Sequence, residues 1–138
     1  MKLFKKSLCL SLLILSTSAL ADVAVIVNSA NASAINDNDI SRIFLGKKKK
    51  FASGESIEPI NSSAGGSART EFEKKVLKKS ANQVKAYWSK LVFSGKGKPL
   101  KEIGSDADVL KHVAENPNAI GYVDAGSVNG SVKVIKTF

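Results

Sequence analysis

The sequence predicts an α/β fold in three layers: a mixed, mostly parallel sheet with helices on both faces. Three observations carry this reading. Asp22-Val23-Ala24-Val25-Ile26-Val27-Asn28 is nearly continuous in apolar, mostly β-branched residues. That pattern suits a central strand buried on both faces rather than one half exposed to water. Strand-like segments then interleave with segments of helical periodicity along the rest of the chain. Finally, setting aside an N-terminal leader of 21 residues leaves 117 of the 138, enough for one domain with a single core.

The leader is read from three features. Lys2, Lys5 and Lys6 form a basic start, Leu8 to Leu15 is an apolar run, and Ala19-Leu20-Ala21 is a small-residue cleavage pattern. The apolar run is shorter than the roughly 20 residues a membrane span needs. The expectation is export to the periplasm, cleavage after Ala21, and a mature domain over 22–138 that is not embedded in the membrane.

The elements follow in order. Asn28 to Ser33 is a polar loop after the first strand. Asp37 to Leu45 reads as a short helix, capped by Asp37 or Asn38, with Ile40, Ile43 and Phe44 on one face and Gly46 where the helix stops. Ile57-Glu58-Pro59-Ile60 is a short strand. A helix over about 67–79 carries Phe72, Val76 and Leu77 on its apolar stripe. Ser80 caps a second, about Ala81 to Phe93, whose face holds Val84, Tyr87, Trp88 and Leu91; the spacing places Tyr87 and Trp88 in packing rather than ligand stacking. Ser105-Asp106-Ala107-Asp108 opens a third helix, with Val109, Leu110 and Val113 buried and acids placed to complement the helix dipole. Asn116-Pro117-Asn118 is a turn, Ala119 to Asp124 a strand, and Ser131 to Ile135 the last strand.

Between the second strand and its helix lies Asn61-Ser62-Ser63-Ala64-Gly65-Gly66-Ser67-Ala68-Arg69. Glycines permit a tight turn and close approach of a ligand. Free N–H groups and the positive end of the dipole at a helix start suit an anion. Ser62, Ser63 and Ser67 offer hydroxyl donors and Arg69 a cation. Two readings fit these residues: an oxyanion pocket, or an ordinary strand-to-helix connection.

Composition excludes several chemistries. Cys9, in the leader, is the one cysteine and His112 the one histidine, so the mature chain has no cysteine nucleophile, no thiolate metal site and no two-histidine metal site. His112 has no evident acid partner in the sequence and reads as a surface or hydrogen-bonded residue. No nucleophile–base pair stands out, no GxxxxGK[ST] phosphate loop occurs, and no cofactor is implied. The formal charge of +9 includes three leader lysines; the remaining 18 basic and 12 acidic residues give +6. A basic exported domain favours anionic ligands or surfaces, while export separates it from nucleic acid. The run Lys47 to Lys50 reads either as an anion-attracting surface or as a solvated loop.

The ordered motifs resemble the phosphate-binding proteins of ABC transporters, within the type 2 periplasmic binding-protein fold. Val23 to Asn31 resembles the family's valine-rich strand followed by Asn-x-x-Asn. Ile40 to Lys47 is similar to its Ile-Phe-x-Gly-Lys helix end. Gly66 to Phe72 looks like its Ser-Gly-Thr-Arg-x-x-Phe anion loop, and Asn116 to Val123 is close to its Asn-Pro-x-Ala-Ile-Gly-Tyr strand. The resemblance is to one lobe of a two-lobed family, the inserted middle lobe. The Ser-Gly-Thr core falls on Gly66, Ser67 and Ala68, without the threonine hydroxyl, and the arginine expected upstream falls near Asn61 or Ser62. Arg69 matches the arginine after the core. The resemblance implies a non-enzymatic binding protein for phosphate or a similar small anion, lined by Asn28, Ser62, Ser63, Gly66, Ser67, Ala68 and Arg69, and linked to uptake or sensing through a membrane transporter or sensor. The alternative is an interaction module that docks to a sensor, a transporter or another copy of itself through the loops 47–54 and 94–100.

Cleavage after Ala21 predicts that intact-mass spectrometry of the exported protein finds Asp22 as the first residue; retention of Met1 on the exported chain contradicts it.

Overall fold

A computed structural model describes residues 22–138. The leader over 1–21 lies outside the described residues. Strand β1 (Val23–Asn28) is buried along its whole length. Alternate side chains of a strand point to opposite faces, and here both faces are covered. Val23, Val25 and Val27 enter one core; Ala24 and Ile26 enter the other.

The remaining elements are α1 (Asp37–Phe44), β2 (Glu58–Ser62), α2 (Ser67–Phe72) continuing into a π-helical turn (Glu73–Leu77), α3 (Ala81–Phe93), β3 (Lys101–Ile103), α4 (Asp106–Glu115), β4 (Ala119–Asp124) and β5 (Val132–Thr137). The sheet order is β3-β2-β4-β1-β5. β2 runs parallel to β3 and β4, while β1 is antiparallel to both β4 and β5. Four strands thus share one direction and β1 opposes them. The sheet is mixed and mostly parallel, as expected, and β1 is interior. Its apolar run reports burial on both faces; it does not report the direction of its neighbours.

On one face the larger core gathers Ile120 and Tyr122 from β4 with Ile40, Ile43 and Phe44 from α1, Phe72, Val76 and Leu77 from the second helical segment, and Val84 from α3. Tyr122 stacks on Phe72 with ring centroids 3.9 Å apart, and Phe44 meets Phe72 edge-on at 4.7 Å. On the other face α4 packs Val109, Leu110 and Val113 against Ile60, Ala119 and Val123. It approaches β4 closely at Gly121, where an added Cβ would stand 3.0 Å from Val109.

Local chemistry accounts for most boundaries. Ser80 and Gln83 form a capping box on α3, and Ser105 caps α4. α1 begins with Asn36 as its cap, in a box with Asp39, rather than with Asp37 or Asn38. The helix expected over 67–79 is an α-helix that widens at Glu73 and closes at Lys78, whose φ is +55°. β3 gave no sequence signal: it is a three-residue edge strand with Lys101 and Glu102 exposed. Tyr87 packs against the larger core, its hydroxyl donating to the Leu45 carbonyl at 2.6 Å, and Trp88 packs there too, both only half-buried. His112 does have an acid partner, with Nε2 2.9 Å from Glu58 Oε1. In the lysine run, Lys48 pairs with Asp39 at 3.0 Å and holds that carboxyl below its ordinary range. No helix among the described residues is long and apolar enough to cross a membrane.

Val25 is fully buried among the apolar side chains of the larger core, where a carboxylate is taken out of water. Val25→Asp is therefore expected to cost about 4 kcal/mol of stability, measured by urea denaturation; a loss under about 1 kcal/mol contradicts the double-sided burial.

Candidate oxyanion site

β2 and β4 run in the same direction and end at the same rim of the sheet. Crevices outside the carboxyl ends of strands are where open α/β sheets bind ligands. From Ser62 the chain turns through Ser63-Ala64-Gly65-Gly66 into α2. Gly65 takes φ +79°, which glycine adopts at little cost, and the Gly66 N–H donates to the Ser63 carbonyl at 3.1 Å. Gly66 is the N-cap of α2 and supplies no side-chain cap. The first intrahelical donor is Thr70, bonded to the Gly66 carbonyl at 3.0 Å. The N–H groups of Ser67, Ala68 and Arg69 are the ones an α-helix leaves without carbonyl partners.

The candidate residues divide. Gly66, Ser67 and Ala68 stand together at the helix start, with the Ala68 side chain buried in the core. The Ser67 hydroxyl donates to Asp124 Oδ2 at 3.0 Å. Ser63 Oγ donates to the Gly104 carbonyl at 3.0 Å. Ser62 is buried; its N–H donates to the Tyr122 hydroxyl and its carbonyl accepts from Arg69. The Tyr122 hydroxyl bonds Asn61 Oδ1 in turn, and burial pushes the pKa of this phenol well above its ordinary value.

Arg69 is occupied by the protein itself. Its Nε donates to Glu73 Oε1 at 3.1 Å, and its Nη1 donates to Glu102 Oε1 at 2.6 Å and to the Ser62 carbonyl at 3.1 Å. Burial works to lower its pKa, but the hydrogen bond to Glu102 and the surrounding charges outweigh it and leave the guanidinium above its ordinary value. Arg69 thus clamps β2, β3 and the helical segment together.

Asn28 does not join the loop. β1 is antiparallel to β4, so Val23 pairs with Asp124 at the site rim while Asn28 ends at the opposite rim. The separation along the strand is roughly 16 Å at about 3.3 Å per residue. Asn28 instead ties the end of α4, with Nδ2 donating to the carbonyls of Val113 and Ala114 at 3.0 and 2.9 Å, and Oδ1 accepting from the Ala30 N–H.

The sequence reading missed the acids around this rim. Asp124 ends β4 beside Ser67, and its N–H donates to Asp106 Oδ2 at 3.1 Å, which also accepts from Ser127 Oγ. The strand-end rule applied to β4 would have singled out Asp124; no local pattern marks Glu73 or Glu102. Among the described residues, no group of three or more His, Cys, Asp or Glu is placed to hold a metal ion.

This architecture matches the fold of about half of several solved phosphate-transport receptors. The chain is similar to an ABC-type phosphate transport receptor from Vibrio cholerae, with 23% identity, a TM-score of 0.65, and coverage of 85% of this chain and 47% of that one. It is also similar to a Clostridium perfringens structure described as a phosphate ABC transporter substrate-binding protein with bound phosphate, at 20% identity and TM-score 0.66 over 85% of this chain and 46% of that one. A third likeness is to PstS from Borrelia burgdorferi, at 14% identity and TM-score 0.60 over 83% and 47%. The chain spans just under half the length of these proteins. No protein-family model and no curated protein sequence matches it.

Replacing Arg69 with Ala strands a buried glutamate and is expected to lower stability by about 3 kcal/mol in chemical denaturation. Unchanged stability contradicts the clamp.

Proposed function

We propose that the protein is an exported, non-enzymatic, solute-binding-like lobe that takes phosphate or a related oxyanion at the start of α2, in uptake or sensing with a membrane transporter or sensor. The observation that carries this reading is the open helix start. α1, α3 and α4 each have a side chain bonded to their first-turn N–H groups, and α2 has none. The likeness to phosphate-transport receptors supports the same reading. Backbone N–H groups of Ser67, Ala68 and Arg69 are the donors; Asn28, Ser63 and Arg69 contribute no side chain to it.

Asp124 shapes the choice of anion. A carboxylate beside the helix start repels a fully ionised oxyanion and accepts a hydrogen bond from one that keeps a proton. Phosphate and phosphonates carry such a P–OH group near neutral pH, and sulfate does not. Each charge-assisted hydrogen bond contributes about 1.5–3 kcal/mol. Three of them, less the cost of immobilising the ion in a wet site, give an affinity on the order of millimolar to micromolar.

Titration of phosphate, methylphosphonate and sulfate to ~10 mM, followed by amide NMR, tests this. Phosphate and methylphosphonate are expected to shift the Ser67, Ala68 and Arg69 amides, with sulfate weaker, and Asp124→Asn is expected to narrow the difference. No shift with any of the three overturns the proposal.

A further inference from the structure

We propose that a second site, a groove of about 710 Å³ between α3 and the β3 edge, binds a small organic cation carried on an apolar body. The groove has the size and lining of a ligand pocket, mostly apolar walls with a few polar groups at one place. Val84, Trp88, Val92, Phe93, Pro99 and Leu100 form the apolar part. Phe93 is 96% exposed, although it is a large aromatic residue, and Val92 beside it is exposed as well. Among the described residues, none covers the Phe93 ring.

The polar part is Asn82, Lys85 and Ser89 along α3, and Asn61 with the Arg69, Glu73 and Glu102 group. This group holds two carboxylates and one guanidinium, so it carries a net charge of one minus. Glu73 is only 5% exposed, and its Oε2 is buried with no hydrogen-bond partner. A buried carboxylate oxygen without a donor is costly. Arg69 bonds the other oxygen, Oε1, through Nε, and its Nη1 is engaged by Glu102 and the Ser62 carbonyl; its Nη2 makes no bond to Oε2. The other cation of the lining, Lys85, is exposed on α3.

With Glu73 Oε2 left without a donor, a positive donor from outside the chain completes the site, and the walls select one with an apolar body. An alkyl or aryl ammonium, or a guanidinium, fits both demands. Its cation reaches toward Glu73 and Glu102, and its apolar part lies along Val84, Trp88 and Leu100. Trp88 adds aromatic surface to the wall along which the apolar part lies. Glu73 also opens the π-helical turn, and such turns are frequent at functional sites. This inference does not rest on the oxyanion reading: that site uses backbone N–H groups at the start of α2, this one the side chains of Glu73, Glu102 and Trp88, and Arg69 enters the first by its N–H and the second by its guanidinium.

Trp88 is the one tryptophan of the chain and lines the groove, so its fluorescence reports ligand there; it also borders the hollow beside Gly46 and Gly97, and the Glu73 variant separates the two. The probes are benzylammonium, the neutral benzyl alcohol and the anionic benzoate, each titrated to ~10 mM into the purified protein. Benzylammonium is expected to give a saturable change at least about tenfold tighter than either control, a difference of ~1.4 kcal/mol. Glu73→Gln keeps the side-chain shape and is expected to remove that preference. If that variant does not fold, Glu102→Gln, at a half-exposed position, is expected to reduce the preference in the same direction. Equal binding of benzylammonium and benzyl alcohol, tighter binding of benzoate, no saturable change with any probe, or a cation preference intact in the folded Glu73→Gln protein each overturns the proposal. A phosphate titration in parallel separates its outcome from that of the oxyanion site.

Discussion

The double-sided burial of β1 is the constraint on which the rest of the structure depends. Every one of its six side chains is buried, with alternate residues feeding two separate cores. A shift of one residue in its pairing would exchange the two sets. Small Ala24 and longer Ile26 face α4, while three valines face the aromatic core. The register with β4 therefore positions α4 on one side and the α1, α2 and α3 layer on the other.

From that sheet, one aromatic stack reaches the candidate site. Tyr122 lies in β4, Phe72 at the end of α2 and Phe44 at the end of α1, and their rings meet face-on or edge-on. Such pairs add about 0.5–1.5 kcal/mol beyond the area they bury. The Tyr122 hydroxyl is the polar end of the same stack. It accepts from the Ser62 N–H and bonds Asn61, so the last residues of β2 are held by the core beneath them. Packing and site geometry are thus joined by one side chain.

Arg69 holds the rim from the other direction. It joins the end of β2, the edge strand β3 and the buried Glu73 at the start of the π-helical turn. Removing one partner of such a group costs more than the pair itself contributes, because the remaining charge stays buried. A residue that reads in sequence as an anion ligand serves here to hold three elements in place. The acidic character of the rim follows from the same assembly, since Glu73, Glu102, Asp106 and Asp124 come from four separate segments.

The sequence by itself determined the fold class, the interior place of β1 and the existence of most elements. Those properties depend on local periodicity, caps and glycine, as at Ser80, Ser105 and Gly46. It missed β3, because a three-residue edge strand with two exposed charged residues has neither alternation nor length. It also placed Asn28 with the Gly/Ser loop, and only the tertiary structure separated them. The direction of a strand is set by its neighbours, and the antiparallel β1 carries Asn28 to the far rim. Partner choice was likewise decided in three dimensions. Arg69 finds Glu73 one helical turn away, but its other carboxylate, Glu102, and the Asp124 beside Ser67 are 33 and 57 residues distant in the chain. No local pattern records such pairs, because charges meet through folding rather than through spacing.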